Sequence, residues 1–282
     1  MRSLSVFLII CAICASSFIA MTGEESAVAK AQKEVRAELG EGFAIEVVEE
    51  WFVTAANGGD SATADARETT RHVVQSMGKH FFTKPIDFPI KVYLFKDKES
   101  YEAYNIKRDG EKPSTPYGFY RSSDRTMVMN IATGLGTLSH ELVHPLLAQD
   151  FPGVPAWFNE GFASLFECFS YGEDDCMKGH VNWRLPNLQK AIAEKKTVPL
   201  KELMATTTNA FYDDNRGLNY AEARYLCLYL QEKHLLQPFY KEFKAGFEKE
   251  KTGVAALEKV CGKKLAELEA EWLPWVGKLR WR

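Results

Sequence analysis

The chain has 282 residues, 46% hydrophobic and 12% aromatic, enough to bury a sizeable core in one large domain or two closely joined ones. Its 35 Lys and Arg against 38 Asp and Glu leave a formal charge of −3, which excludes the concentrated basic face of a nucleic-acid binder. Well-mixed charge (26%) with ordinary Gly and Pro (19 and 11) excludes wholesale disorder and collagen-like or low-complexity chains.

Arg2 precedes an apolar run from Leu4 to Cys14, and small residues follow up to Ala20. That order predicts a secretory signal peptide over residues 1–20, cut after Ser17 or Ala20, and a secreted or periplasmic protein. The apolar stretch of about 18 residues is borderline for spanning a bilayer, so an uncleaved signal acting as a membrane anchor is the alternative. No later segment reads as a membrane span. Signal removal takes away Cys11 and Cys14 and leaves Cys168, Cys176, Cys227 and Cys261. In an exported protein these can oxidise, Cys168 and Cys176 pairing locally around a polar loop, or stay as small buried core residues.

Residues 21–42 read as a linker or N-terminal helix, with Glu24 to Leu39 helical and loosely attached. Ile45 to Val53 partly alternates and reads as a strand. Asn57-Gly58-Gly59-Asp60 is a turn, after which Ser61 can cap a helix to about Lys79. Ile90 to Phe95 is a strand, followed by a short helix near Lys98 to Tyr104. Tyr117 to Tyr120 and Thr126 to Ile131 form a hairpin through Ser122 to Arg125. After Ile131 the pattern is helical to the end. The expected class is α+β: a mixed unit over 43–150, then a helical unit over 151–282, with the seam near 150–155.

The chemistry concentrates at His140-Glu141-Leu142-Val143-His144. Residues four apart share a helix face, so His140 and His144 can offer imidazole nitrogens to one ion. Glu141 sits about 100° round the helix, where it reaches a water on that ion without ligating it. A catalytic zinc needs a third protein ligand and an open position. Pro152-Gly153 turns the chain and Pro155 suits the first turn of a new helix, which places Glu160 one turn in, with Gly161 allowing close helix contact. Glu167, two turns further on, is a candidate to brace a ligand histidine. Pro145 directly after His144 predicts a kink or a loosened turn there. Gly134-Leu135-Gly136 opens the metal helix.

This arrangement resembles the gluzincin zinc metallopeptidases, most closely their peptidase-MA-like families, through His140-Glu141-x-x-His144, Pro155-Ala156-Trp157-x-Asn159-Glu160-Gly161-x-Ala163 and the strands before them. The resemblance covers most of residues 43–276. It implies a zincin-like fold, Zn2+ on His140, His144 and Glu160, Glu141 as general base, and a peptide or protein substrate. Gluzincins often supply an oxyanion donor from the later helical part, and Tyr220 is the candidate, with Tyr212 and His180 as competitors. The strand Thr126 to Ile131 is the candidate for pairing with an extended peptide, helped by Asn130. The competing expectation is a catalytically silent binding or scaffold protein on the same fold. Retention of Glu141 beside both histidines and Glu160 favours the enzyme.

Overall fold

The computed structural model describes residues 25–213 and 215–281; the signal-peptide reading of 1–20 lies outside them. The first half runs α1 (Ala27–Leu39), β1 (Ala44–Val48), β2 (Phe52–Ala56), α2 (Asp60–His80), β3 (Ile90–Phe95), α3 (Lys98–Asp109), β4 (Gly118–Arg121), β5 (Thr126–Asn130) and α4 (Leu135–Asp150). The second half runs α5 (Ala156–Leu165), β6 (Phe169–Tyr171), β7 (Met177–Gly179), α6 (Leu185–Ala193), α7 (Leu200–Met204), α8 (Thr208–Phe211), α9 (Arg216–Glu232), α10 (Leu236–Gly246), α11 (Val254–Cys261) and α12 (Leu265–Lys278). The class is mixed α+β, as expected. No described helix is long and apolar enough to cross a membrane.

One five-stranded sheet, in the order β1-β2-β3-β5-β4, organises the first half. β2, β3 and β5 are parallel, while β1 and β4 pair antiparallel at the two edges. The parallel strands are nearly continuous apolar runs because both faces are covered. Phe52, Ala56, Ile90, Val92, Leu94, Met127 and Met129 join the large core shared with α2 and α4. The alternate residues Val53, Ala55, Tyr93, Phe95 and Val128 form a second core with α1 and α3.

Several elements differ from the sequence expectation. Ile45 to Val53 is not one strand: Glu49 and Glu50 adopt φ of 47° and 61°, reversing the chain between β1 and β2 without a glycine to announce the turn. α1 is firmly attached. Ala31 and Val35 are buried, and the Glu38 carboxylate accepts from the Tyr93, Tyr104 and Arg108 side chains at 2.7, 2.6 and 3.1 Å. α2 is preceded by Gly59 at φ 79°, with no side-chain cap from Ser61. α3 runs on to Asp109 and stops at Gly110 in the left-handed region.

The second half is not wholly helical, since β6 and β7 form a hairpin between α5 and α6. Buried Arg224 on α9 ties that hairpin to α5 by donating to the carbonyls of Ser164, Leu165 and His180. All four described cysteines are free thiols, so Cys168 and Cys176 do not pair across the hairpin.

Candidate metal centre

β5 delivers the chain to α4 through a tight turn at Ile131–Thr133, after which Gly134 at φ 100° lets α4 begin. Leu138, Leu142, Val143 and Leu147 are buried in the core, leaving His140 and Glu141 on a cleft, with His144 one turn beyond His140. The helix continues past Pro145 to Asp150; the missing Pro145 N–H leaves the Glu141 carbonyl without its usual partner one turn back. The two histidine Nε2 atoms face each other at 3.1 Å.

The chain turns at Phe151–Val154, with Gly153 at φ 79°, and α5 starts after Pro155 at its N-cap. α5 is clamped by the Trp157 indole, which donates to the Thr252 carbonyl at 2.9 Å, and by the buried rings of Phe158 and Phe162. Gly161 serves α9: a methyl group there would stand 2.7 Å from the Ala223 carbonyl oxygen. Gly136 plays the same part for α4, where a methyl group would meet the Glu167 carbonyl oxygen at 2.1 Å. These two bare backbones let the three helices close on one point.

At that point Glu160 Oε2 lies 3.3 Å from His140 Nε2 and 3.8 Å from His144 Nε2. The three donor atoms all fall within 4.8 Å of one another. Glu160 Oε2 is buried and makes no acceptable hydrogen bond, while Oε1 accepts from the Tyr212 hydroxyl at 2.5 Å. Two ring nitrogens and a carboxylate oxygen turned towards one point fit a divalent cation. The buried His140–His144–Glu160 group can hold a metal ion.

Neighbouring groups orient these ligands. His144 Nδ1 is 3.1 Å from Asn159 Oδ1, an arrangement in which Nδ1–H donates and Nε2 keeps its lone pair for the centre. His140 Nδ1 is flanked by Ser164 Oγ at 3.5 Å and Glu167 Oε1 at 3.6 Å. Glu167 thus stands beside the histidine, but its short bonds go elsewhere. It takes Arg184 Nη2 at 2.6 Å, Arg184 Nε at 2.9 Å and Asn182 Nδ2 at 2.9 Å. The sequence singled out neither Arg184 nor Asn182; both come from the turn after β7, and no spacing rule links them to α5.

The electrostatics follow from this crowding. Burial works against a charge on His140, but the Glu160 carboxylate 3.3 Å away and those of Glu141 and Glu167 push its pKa up to about 9. Burial also works against the Glu160 charge, yet His144, His140 and the Tyr212 hydroxyl hold its carboxyl well below the usual range. Burial pushes Glu141 up, opposed by the two imidazoles and the Tyr120 backbone N–H. The Tyr212 and Tyr220 hydroxyls are driven far above the ordinary phenol value by burial and by Glu160.

His140 and Glu141 line a cleft of about 820 Å³, with Tyr220, Arg184, Arg216 and Gly118 around it. Tyr220 therefore comes to the same cavity as the HExxH helix, and its ring centre is 6.2 Å from that of Tyr212. His180 does not join them; it pairs with Ser170 Oγ at 2.6 Å. The expected peptide-binding strand is corrected: β5 is flanked by β3 and β4 and has no free edge. Asn130 is likewise occupied, its amide donating to the Pro116 carbonyl at 3.0 Å while its Oδ1 accepts from the Ala132 N–H at 3.3 Å. The free edge beside the cleft belongs to β4, whose Gly118 and Phe119 line it. Glycine suits that position, since a Cβ would stand 2.9 Å from the Val128 carbonyl oxygen. No protein-family model and no curated protein matches this chain.

Proposed function

We propose that this chain is an exported zinc-dependent peptidase with a zincin-like fold of the gluzincin type. The observation that carries it is the convergence of His140 Nε2, His144 Nε2 and Glu160 Oε2, with Glu141 alongside on the floor of an open cleft. His140, His144 and Glu160 would hold zinc. When bound, zinc supplies an acidified water and polarises the substrate carbonyl. Glu141, made more basic by burial, accepts the proton of the attacking water and delivers it to the leaving amine. Tyr220, whose hydroxyl stays protonated, donates to the developing oxyanion. The free edge of β4 gives an extended peptide a backbone to pair with beside the centre. Asn159 keeps His144 in the tautomer that leaves Nε2 available.

The test is zinc content and casein cleavage of the purified protein, wild type against Glu141→Gln. The expected result is near-stoichiometric zinc in both and a fall of about 10³-fold in kcat for the variant. Full-rate cleavage by Glu141→Gln removes that residue from the mechanism, and a wild type that takes up no divalent metal removes the peptidase reading altogether.

A further inference from the structure

Two arginines line the cleft, and they differ in what neutralises them. Arg184 is held in a two-point fork by Glu167. Arg216, exposed at the start of α9, has no carboxylate partner among the described residues. Its guanidinium carbon stands 5.7 Å from the Tyr220 ring centre and 5.9 Å from that of Tyr212. Those rings are themselves fixed, Tyr212 by its bond to Glu160 and Tyr220 by burial and by Arg184, whose guanidinium lies 5.2 Å from its ring. Arg216 is thus a cation set against two aromatic faces in the cleft that His140 and Glu141 line, its N–H fork without a carboxylate acceptor among the described residues. Of the two carboxylates lining the cleft, Glu167 is committed to Arg184 and Glu141 to the chemistry. The first turn of α9 adds the positive end of a 17-residue helix on the same side. Tyr117 and Trp183, exposed by 53% and 51%, give the cleft apolar walls.

We propose that Arg216 is the specificity residue of this cleft and receives a carboxylate of the substrate, from an acidic side chain near the scissile bond or from the free C-terminus of a short peptide. A planar guanidinium stacked on aromatic rings keeps its paired N–H groups in the fork that matches a carboxylate. This deepens the peptidase reading and rests on it for the identity of the substrate as a peptide.

The experiment measures binding, so it does not depend on turnover. Fluorescein-labelled hexapeptides that differ only in Glu against Gln at one central position, or in a free against an amidated C-terminus, are titrated by anisotropy into the full chain carrying Glu141→Gln. One carboxylate is expected to tighten binding about tenfold, and which pair shows the difference identifies its source. The difference disappears when Arg216→Gln is added and partly returns with Arg216→Lys, while the melting temperature of each variant confirms folding. Equal binding of all peptides, no binding by any of them, or a preference that survives Arg216→Gln overturns the proposal. A carboxylate preference in a protein whose wild type cleaves nothing would keep Arg216 as a ligand-binding residue and sink the peptidase; cleavage without the preference would do the reverse.

Discussion

The two ends of α4 each meet a buried carboxylate and treat it in opposite ways. At its C-terminal end Asp150 is fully buried and fully satisfied. Oδ1 accepts from the Thr83 N–H, the Thr83 hydroxyl and the Lys84 N–H at 2.7, 2.9 and 2.7 Å, and Oδ2 accepts from the Tyr240 hydroxyl and, at 2.6 Å, from Lys244. At the cleft end Glu160 is only 5% exposed, yet Oε2 has no hydrogen-bond donor and faces two imidazole nitrogens. An interior that can supply five donors to one carboxylate has not failed to find a partner for the other by accident of packing. Desolvation without compensation costs several kcal/mol, so a buried carboxylate oxygen left over against two ring nitrogens suits a bound cation, whereas the saturated Asp150 locks the fold.

The strongest way to break that contrast is Glu160→Gln. Loss of the anionic ligand should weaken zinc binding by about 10³-fold, roughly 4 kcal/mol, read by competition with a chelating dye. Zinc should raise the melting temperature of the wild type and leave that of the variant unchanged. Unchanged zinc affinity would mean that the three converging atoms are not a metal site. Asp150→Asn should behave in the opposite sense, keeping zinc affinity while lowering stability by about 3 kcal/mol, a fall of roughly 6–12 °C in melting temperature. Burial works against the Asp150 charge, but Lys244, Tyr240 and the Thr83 and Lys84 N–H groups hold its pKa down to about 2. A depressed folded pKa stabilises above the unfolded value and loses that contribution as pH falls from about 4 towards about 2. Asp150→Asn should flatten the unfolding curve in that window, and an unaltered acid limb would show that the network adds nothing to stability.

The contrast also explains what the sequence could express. His140, Glu141, His144 and Glu160 were legible because helical spacing and one Pro-Gly turn fix their relation, and both act over short range. The hairpin β4–β5 was legible from its alternation and polar turn. Arg184, Asn182 and Arg216 were not, because each reaches the centre through tertiary folding. Arg184 arrives by way of the β6–β7 hairpin, and three-residue strands carry too little periodicity to be recognised. The division between β1 and β2 was hidden for a different reason: Glu49 and Glu50 take positive φ although nothing local favours it, so the turn is imposed by pairing Val48 with Phe52. Strand exposure was hidden too, because the free edge depends on sheet order, and β5 looks the same in sequence whether it lies inside or outside.

A third buried carboxylate sharpens the comparison. Glu222 lies on α9, two residues beyond Tyr220, with one oxygen accepting from the Val198 N–H at 2.9 Å and the other without a partner. The charge that acts on it is another acid's: Glu269, which itself accepts from the Leu200 N–H at 2.9 Å. Burial, with Glu269 adding repulsion, pushes the Glu222 pKa up to about 8. Where Glu160 has imidazole nitrogens opposite and suits a cation, Glu222 is buried with only a neighbouring acid's charge acting on its free oxygen and is neutralised by a proton. The sign follows: a folded pKa above the unfolded value contributes fully below about 4.5 and is lost as pH rises through about 8. Glu222→Gln removes the titration, so between about pH 5 and about pH 9 the wild type should lose on the order of 2 kcal/mol more stability than the variant, seen in urea midpoints at the two pH values. Equal slopes would mean that Glu222 ionises in place with little penalty. An under-partnered carboxylate would then no longer separate a ligand-binding centre from the rest of this interior, and the case for the metal would rest on the imidazole pair alone.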